Sequence, residues 1–120
     1  MEAGRDLKKV KKDFKGAARE YFQLFSDKNS DKISDMLDSK ALLIDWENNI
    51  QEKDNIIEAV KAIFESVERI FVEPLNIYQD GNVIIGDLLI TINGKEKIRV
   101  IDILEFSLQG KIKSIKAFKQ

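Results

Sequence analysis

The stretch KIRVIDILEFSL, residues 97–108, has the alternation of a β-strand, with one unusual residue on its apolar face. Alternate side chains of a strand point to the same side, so six of them share a face: Ile98, Val100, Asp102, Leu104, Phe106 and Leu108. Five are apolar and one is a carboxylate. An ionised carboxylate in an apolar layer is costly unless it is paired, hydrogen-bonded or protonated. The strand therefore predicts a fold that holds Asp102 in a special environment.

The absence of two residue types limits the chemistry open to the chain. Its 120 residues include no histidine and no cysteine. This composition excludes disulfides, thiolate nucleophiles, Ser-His-Asp triads and the usual zinc and iron sites. Carboxylates, hydroxyl groups and the Lys and Arg cations remain for any reaction. Because Asp45, Glu47 and Glu52 lack the spacing of a recognisable metal-binding loop, we expect no metal and no cofactor.

The balance of charge argues against two classes of partner. The chain carries 20 basic and 21 acidic residues, a net charge of −1, and so has no overall field that would attract nucleic acid or an anionic membrane. No apolar run approaches the ~18 residues needed to cross a bilayer, and the first residues lack the apolar core of a signal peptide. We expect a cytoplasmic protein that binds neither nucleic acid nor membrane.

Helical periodicity of the apolar residues predicts three helices in the first half of the chain. Their predicted spans are residues 5–26, residues 30–37, and a third from 53 or 54 to 66 or 67. Asn29 or Ser30 can cap the second helix and Asp54 the third, because these side chains accept hydrogen bonds from free backbone N–H groups. Between these two helices the segment ALLIDW, residues 41–46, predicts a short strand with Asp45 near its end.

After the third helix the period changes to two, which predicts a meander of four antiparallel strands. The strands are expected at about residues 68–79, 83–92, 96–108 and 111–118. Asp80-Gly81, Asn93-Gly94 and Gln109-Gly110 mark the turns, and Pro74 marks a bulge or bend. The sequence thus predicts one α+β domain over residues 1–120, with three N-terminal helices packed on a curved antiparallel sheet in a cone-shaped α+β barrel.

The side of this sheet opposite Asp102 is also largely apolar. Val83, Ile85, Leu89, Ile101 and Ile103 alternate onto it. Three helices can cover only one side, so the second side is expected to contact another subunit. The sequence predicts a homodimer that associates through its sheets.

The order of these elements resembles the nuclear-transport-factor-2-like fold, also called SnoaL-like or cystatin-like. Within it, the segment EYFQLF…DKISDML…ALLIDW resembles the opening of bacterial Δ5-3-ketosteroid isomerases. By this resemblance Tyr21 takes the place of the family's oxyanion tyrosine and Asp45 that of its proton-shuttling aspartate. Asp102 takes the place of the second oxyanion donor, eight residues before Gly110 as in the family.

The resemblance implies an isomerase, or related carbanion chemistry, acting on a small apolar ligand that bears a carbonyl group. Tyr21 and a protonated Asp102 would donate hydrogen bonds to the oxygen that becomes negative. Asp45 would remain ionised and carry the proton between carbons. These three are the catalytic residues that the resemblance assigns.

Two positions depart from the pattern of that family. The proline that follows the shuttle aspartate in the family is Trp46 here. The second tyrosine, which braces the first in the family, is replaced by Val60 or Lys61. The differences bear on which ligand the chain accepts.

Each candidate residue also fits a less specific role. Tyr21 fits an ordinary core tyrosine, Asp45 a turn-former and Asp102 a buried hydrogen-bonded group. Two alternatives to an enzyme therefore stay open. One is a non-catalytic pocket for an apolar ligand, and the other is a structural or dimeric interaction domain.

Overall fold

The computed structural model describes residues 13–120, which form three helices and six strands. In chain order these are α1 (Phe14–Ser26), α2 (Ser30–Met36), β1 (Leu37–Ile44), β2 (Asn49–Gln51), α3 (Lys53–Ser66), β3 (Ile70–Asp80), β4 (Val83–Ile92), β5 (Glu96–Phe106) and β6 (Ile112–Lys119). The strands form one sheet in the order β2-β1-β6-β5-β4-β3, in which β1 and β6 are parallel and all other neighbours antiparallel. The predicted α+β class is confirmed: the three helices pack on a curved, mostly antiparallel sheet that does not close on itself.

The core lies between the helices and one side of the sheet. Phe14, the first residue of α1, stacks on Phe106 at the end of β5 with ring centroids 4.8 Å apart. Phe25 meets Phe64 of α3 edge to face at 4.9 Å. Burying an aromatic or branched aliphatic side chain stabilises a fold by roughly 1.5–3 kcal/mol, so these contacts fix both helices against the sheet. Among residues 13–120, no helix has the length and apolar character needed to span a membrane.

The helix predictions hold at most boundaries and are wrong at one cap. The first helix ends at Ser26 as predicted, while its predicted residues 5–12 lie outside the part of the chain that the structure describes. Asn29 caps α2, because its side chain accepts a hydrogen bond of 3.1 Å from the backbone N–H of Lys32. Asp54 does not cap α3: it lies within the first turn, and the capping position is Glu52, whose side chain makes no capping bond.

The first strand is the least well predicted element. It was expected at residues 41–46, but β1 spans Leu37–Ile44 and leaves Asp45 and Trp46 in the turn that follows. The exposed polar residues 38–40 conceal its beginning, because they break the apolar pattern. The parallel pairing of β1 with β6 joins segments that lie far apart in the sequence. The strand β2, which pairs with β1 in a short hairpin, is too short to show a period.

The strands after α3 follow the prediction closely, with one wrong side-chain assignment. The predicted span 83–92 of β4 is reproduced, and the register of β3 shifts between Pro74 and Asn76, which confirms the bulge. Leu108 does not share the face of Asp102: β5 ends at Phe106, and Leu108 lies in the following turn with 82% of its surface exposed.

The side of the sheet that faces away from the helices carries large exposed apolar residues. Phe71, Tyr78, Ile101 and Phe118 keep 53%, 56%, 37% and 55% of their surface exposed. Between them Asp87 accepts a hydrogen bond of 2.6 Å from the guanidinium of Arg99. This ion pair holds the pKa of the Asp87 carboxyl below its usual range. The predicted association through this face stays a prediction.

Helix α1 approaches the sheet most closely at Gly86. A Cβ built there would lie 2.8 Å from Cζ of Phe22, closer than real side chains approach each other. The ring of Phe22 is almost fully buried, so it would have to shift within the core to admit a methyl group. Gly86 therefore sets the depth at which α1, and with it Tyr21, sits on the sheet.

Replacing this glycine tests the contact. We expect Gly86→Ala to lower the free energy of unfolding by about 1–3 kcal/mol, because the added methyl group overpacks the core. Gly16→Ala is the matched control: its Cβ meets no atom within 4 Å, and alanine favours a helix by roughly 1 kcal/mol. Urea unfolding followed by circular dichroism measures both, and equal stability of Gly86→Ala and the wild type would contradict the proposed packing.

Candidate active site

A cavity of about 300 Å³ lies between α1, α3 and the sheet. Its walls are mostly apolar and come from both helices and from every strand. The wall also contains side chains that could bind or react with a ligand: Tyr21, Asp45, Trp46, Glu47, Asn48 and Asp102. The structure thus brings together in one cavity the three residues that the sequence singled out, Tyr21, Asp45 and Asp102. Whether they are catalytic stays a prediction.

Asp102 projects into the cavity because of its position in β5. Its neighbours across the sheet are Gly86 on β4 and Ala117 on β6, the two smallest side chains that strands can offer. Asp102 itself is only 9% exposed. Burial raises the pKa of Asp102 to about 7, and the nearby carboxylate of Asp45 adds to the shift. Burial therefore favours the protonated form of Asp102 near neutral pH.

Tyr21 lies on the face of α1 that is turned toward the sheet. It is 4% exposed, and its ring contacts those of Phe22 and Phe25, with centroids 5.6 and 5.9 Å away. Burial raises the pKa of the Tyr21 hydroxyl above its usual value, and Asp102 raises it further. The hydroxyl therefore keeps its proton at physiological pH and is available as a hydrogen-bond donor.

Asp45 occupies the turn after β1 at the mouth of the cavity, where it is half-buried. Its Oδ1 atom accepts hydrogen bonds from the backbone N–H groups of Glu47 and Asn48 at 2.8 and 2.7 Å. Its Oδ2 atom receives only a long contact of 3.3 Å from the Asn48 side chain. Asp45 is therefore both a turn-former and a member of the cavity wall, two roles that the sequence presented as alternatives.

Several wall residues were not recognised from the sequence as part of a site. Val60 is 2% exposed and lines the cavity, whereas Lys61 points to solvent, so Val60 is the residue that faces Tyr21 across the site. Trp46 lies at the mouth, where the Lys119 ammonium is 5.6 Å from its ring centroid. The departure of Trp46 from the family pattern was the one available signal, and the structure shows that this residue lines the cavity.

The composition of the wall limits what the site can hold. Within residues 13–120, no group of three or more carboxylates is arranged to bind a metal ion. No Lys or Arg of the described chain lines this cavity, whereas Asp45, Glu47 and Asp102 do. A phosphate-bearing cofactor would find no cation there to neutralise it.

A second depression, of about 520 Å³, lies outside the core near the start of β3. It is larger but shallower, and none of the three candidate residues lines it. Its Lys28 ammonium donates to the backbone carbonyls of Val67 and Glu68, and the Arg69 guanidinium to that of Asn93. These cations stabilise the junction between α1, α3 and the sheet, so the enclosed cavity remains the candidate active site.

The comparisons with known proteins identify the family to which this chain belongs. The model of the SnoaL-like domain matches residues 18–115, so the chain belongs to the SnoaL-like domain family, within the nuclear-transport-factor-2-like superfamily. The match covers all three candidate residues. A search of curated proteins found no match to the sequence.

Solved structures show the same fold at low sequence identity. A proposed ketosteroid isomerase from Kribbella flavida DSM 17836 is 14% identical with a TM-score of 0.76, over 89% of this chain and 77% of that one. The epoxide hydrolase/cyclase-like enzyme SalBIII of salinomycin pyran ring formation is 21% identical with a TM-score of 0.77, over 89% and 90%. A protein of unknown function from Cytophaga hutchinsonii ATCC 33406 is 11% identical with a TM-score of 0.76, over 90% of each chain.

The environment of Asp102 predicts an unusual dependence of stability on pH. Between its ordinary pKa of 3.8 and its folded value of about 7, the unfolded chain is ionised at this residue while the folded chain is protonated. The contribution of Asp102 to the free energy of unfolding is thus fully present below pH 3.8. It is lost as the pH rises through 7, and the total loss is at most about 4 kcal/mol.

Replacing the carboxyl by an amide tests this linkage. We expect the stability of Asp102→Asn relative to the wild type to increase between pH 4 and pH 7 and then to level off, as measured by denaturant unfolding across that range. Asp87→Asn is the control with the opposite sign: the wild-type Asp87 contributes stability that is lost as the pH falls, because its pKa is lowered. A flat difference curve for Asp102→Asn would disprove the buried, protonated state.

Proposed function

We propose that this protein catalyses proton transfer at a carbon next to a carbonyl group of a small apolar ligand, as an isomerase or a related carbanion enzyme. The observation that carries the proposal is the convergence of Tyr21, Asp45 and Asp102 on one largely apolar cavity. The resemblance to ketosteroid isomerases and the SnoaL-like family membership support it. The low identity to every solved structure named above leaves the ligand itself undefined.

Asp45 is the proposed base. Its Oδ2 atom, which receives only the long contact from Asn48, removes the proton from the α carbon. The electron pair of that C–H bond moves toward the carbonyl and forms an enolate. In a β,γ-unsaturated ketone the negative charge extends over a dienolate, and the protonated Asp45 returns the proton to the γ carbon as the carbonyl re-forms, which shifts the C=C bond by one position. In a saturated ketone the proton returns to the α carbon. The hydrogen bonds to Oδ1 hold the turn and keep the base at the cavity mouth.

Tyr21 and Asp102 are the proposed donors to the enolate oxygen. Both are buried, and a hydrogen bond to a developing charge is stronger in such a place than in water. Tyr21 keeps its proton because its pKa is raised. Asp102 is a donor only while it is protonated, so we expect the reaction rate to fall as the pH rises above about 7.

Epoxide opening is a second candidate reaction, because SalBIII, which shares the fold, is described as an epoxide hydrolase/cyclase-like enzyme. In this chain it is the weaker hypothesis. An epoxide-opening site of this fold is expected to hold an Arg between two aspartates. No Arg of residues 13–120 lines the cavity. The electrostatics favour a neutral carbonyl substrate.

Exchange of α protons with deuterium in a panel of apolar ketones tests the enzymatic proposal. We expect Asp45→Asn to lower the exchange rate at least about 100-fold while ketone affinity stays within a few-fold, because the base is lost and the cavity is not. Glu47→Gln is the matched control at the same mouth and should retain exchange. Equal exchange in Asp45→Asn and the wild type would exclude Asp45 as the base.

The non-catalytic alternative of a dimeric interaction domain rests on a separate observation. Phe71, Tyr78, Ile101 and Phe118 expose apolar surface on the side of the sheet away from the cavity. Several large apolar side chains exposed on one face, here around the Asp87–Arg99 ion pair, are typical of protein–protein contacts. We propose that two copies associate through it.

Mass measurement at micromolar concentration tests this association. We expect light scattering to give about twice the chain mass of 13.8 kDa. Ile101→Glu should halve the measured mass, because it places a charge in the middle of the apolar face. Leu108→Glu, which adds the same charge in the exposed turn after β5 and outside this face, is the control. A wild-type protein of monomeric mass would refute the proposal.

A further inference from the structure

The charge of the cavity wall has a consequence beyond proton transfer. Three acidic residues, Asp45, Glu47 and Asp102, line the cavity, and no basic residue of the described chain does. The ammonium group of Lys119 lies at the mouth, over the ring of Trp46. The electrostatic potential inside the cavity is therefore negative whenever these groups are ionised, and it repels anionic ligands.

Asp102 is the deepest of the three and has no partner of its own. Within residues 13–120, no hydrogen bond or ion pair engages its side chain, although it is more than nine-tenths buried. No buried side-chain oxygen of the described chain is sealed off without a partner, so the Asp102 oxygens must open onto the cavity. An ionised carboxylate in this position attracts a cation from a ligand more strongly than a surface carboxylate does.

The rest of the wall suits an organic cation. Tyr21, Phe22 and Phe25 of α1 line one side of the cavity with aromatic rings, and Trp46 lies at the mouth. Aromatic faces attract ammonium groups, while the aliphatic residues from the sheet favour an apolar body. An inorganic cation would gain from neither.

We propose that the cavity binds apolar amines, with the ammonium group of the ligand paired to the carboxylate of Asp102. The proposal goes beyond the proton-transfer function, since it requires neither Asp45 as a base nor a carbonyl group in the ligand. The two kinds of ligand use opposite states of one side chain. A ketone accepts a hydrogen bond from protonated Asp102, and an ammonium group needs the ionised form.

This opposition makes amine binding release a proton. At pH 6, where Asp102 is mostly protonated, the proton must leave before the ion pair forms. The titratable groups that face Asp102 are Tyr21 from α1 and Asp45 and Glu47 from the turn after β1. Its neighbours on β4 and β6, Gly86 and Ala117, do not titrate, and the wall residues of α3 are apolar.

Matched probes with one apolar cage test the proposal: adamantylamine, adamantanol and adamantane carboxylate. We expect the affinity for the amine to rise roughly tenfold per pH unit between pH 5 and 7 and to level off by pH 8, because only the ionised Asp102 pairs with it. The alcohol should show no such rise, and the carboxylate should bind at least tenfold more weakly than the alcohol at pH 8. Calorimetry in two buffers measures affinity and proton release, and the single tryptophan, Trp46, gives an independent fluorescence signal.

Two variants assign the effect to a residue. Asp102→Asn should lose at least tenfold in amine affinity at pH 8 together with the pH dependence, while its affinity for the alcohol stays within a few-fold, which also shows that the cavity is intact. Asp87→Asn, which removes a carboxylate on the opposite side of the sheet, should keep both the amine affinity and its pH dependence. Equal affinity for amine and alcohol at pH 8, or unchanged amine binding in Asp102→Asn, would overturn the proposal. Deuterium exchange in ketones is scored separately, so the failure of one proposal is distinguishable from the failure of the other.

Discussion

The register of three strands is the constraint on which the site depends. It places Asp102 between Gly86 and Ala117, on the face of the sheet that lines the cavity. The same glycine admits the ring of Phe22 and thereby sets the position of α1. A slip by one residue would turn Asp102 to the opposite side of the sheet and an apolar neighbour into the cavity. The position of Asp102 in the cavity and its raised pKa thus both depend on how β5 pairs with β4 and β6.

The sequence predicted the elements whose own residues carry a period. The strands 83–92 and 96–106 were located within two residues, because turn residues border them and their faces alternate cleanly. The beginning of β1, the three-residue strand β2 and the parallel pairing of β1 with β6 were missed. Their positions are set by contacts with distant segments, and the local sequence of residues 38–40 is polar. Local pattern is strong evidence only where local and tertiary preferences agree.

The site was predictable in its members and not in its geometry. A carboxylate on an apolar strand face drew attention to Asp102 without any comparison, whereas Tyr21 and Asp45 entered through a family resemblance. That all three line one cavity required the curvature of the sheet, which no single segment encodes. Val60 was one of two alternatives until the orientation of α3 decided between them. Trp46 was visible only as a departure from a pattern, and its place at the entrance came from the turn that Asp45 organises.

The cavity also shows how one fold gives two aspartates different properties. Asp45 is half-buried, and backbone N–H groups stabilise its negative charge through hydrogen bonds. Asp102 lies deeper and has no such donor, so burial dominates and raises its pKa to about 7. A group that titrates there exists in two forms of similar free energy, one that donates a hydrogen bond and one that attracts a cation. The ligand then selects the form. No cation of the described chain lines the wall, so the electrostatics of the cavity disfavour an anionic group whichever form Asp102 takes.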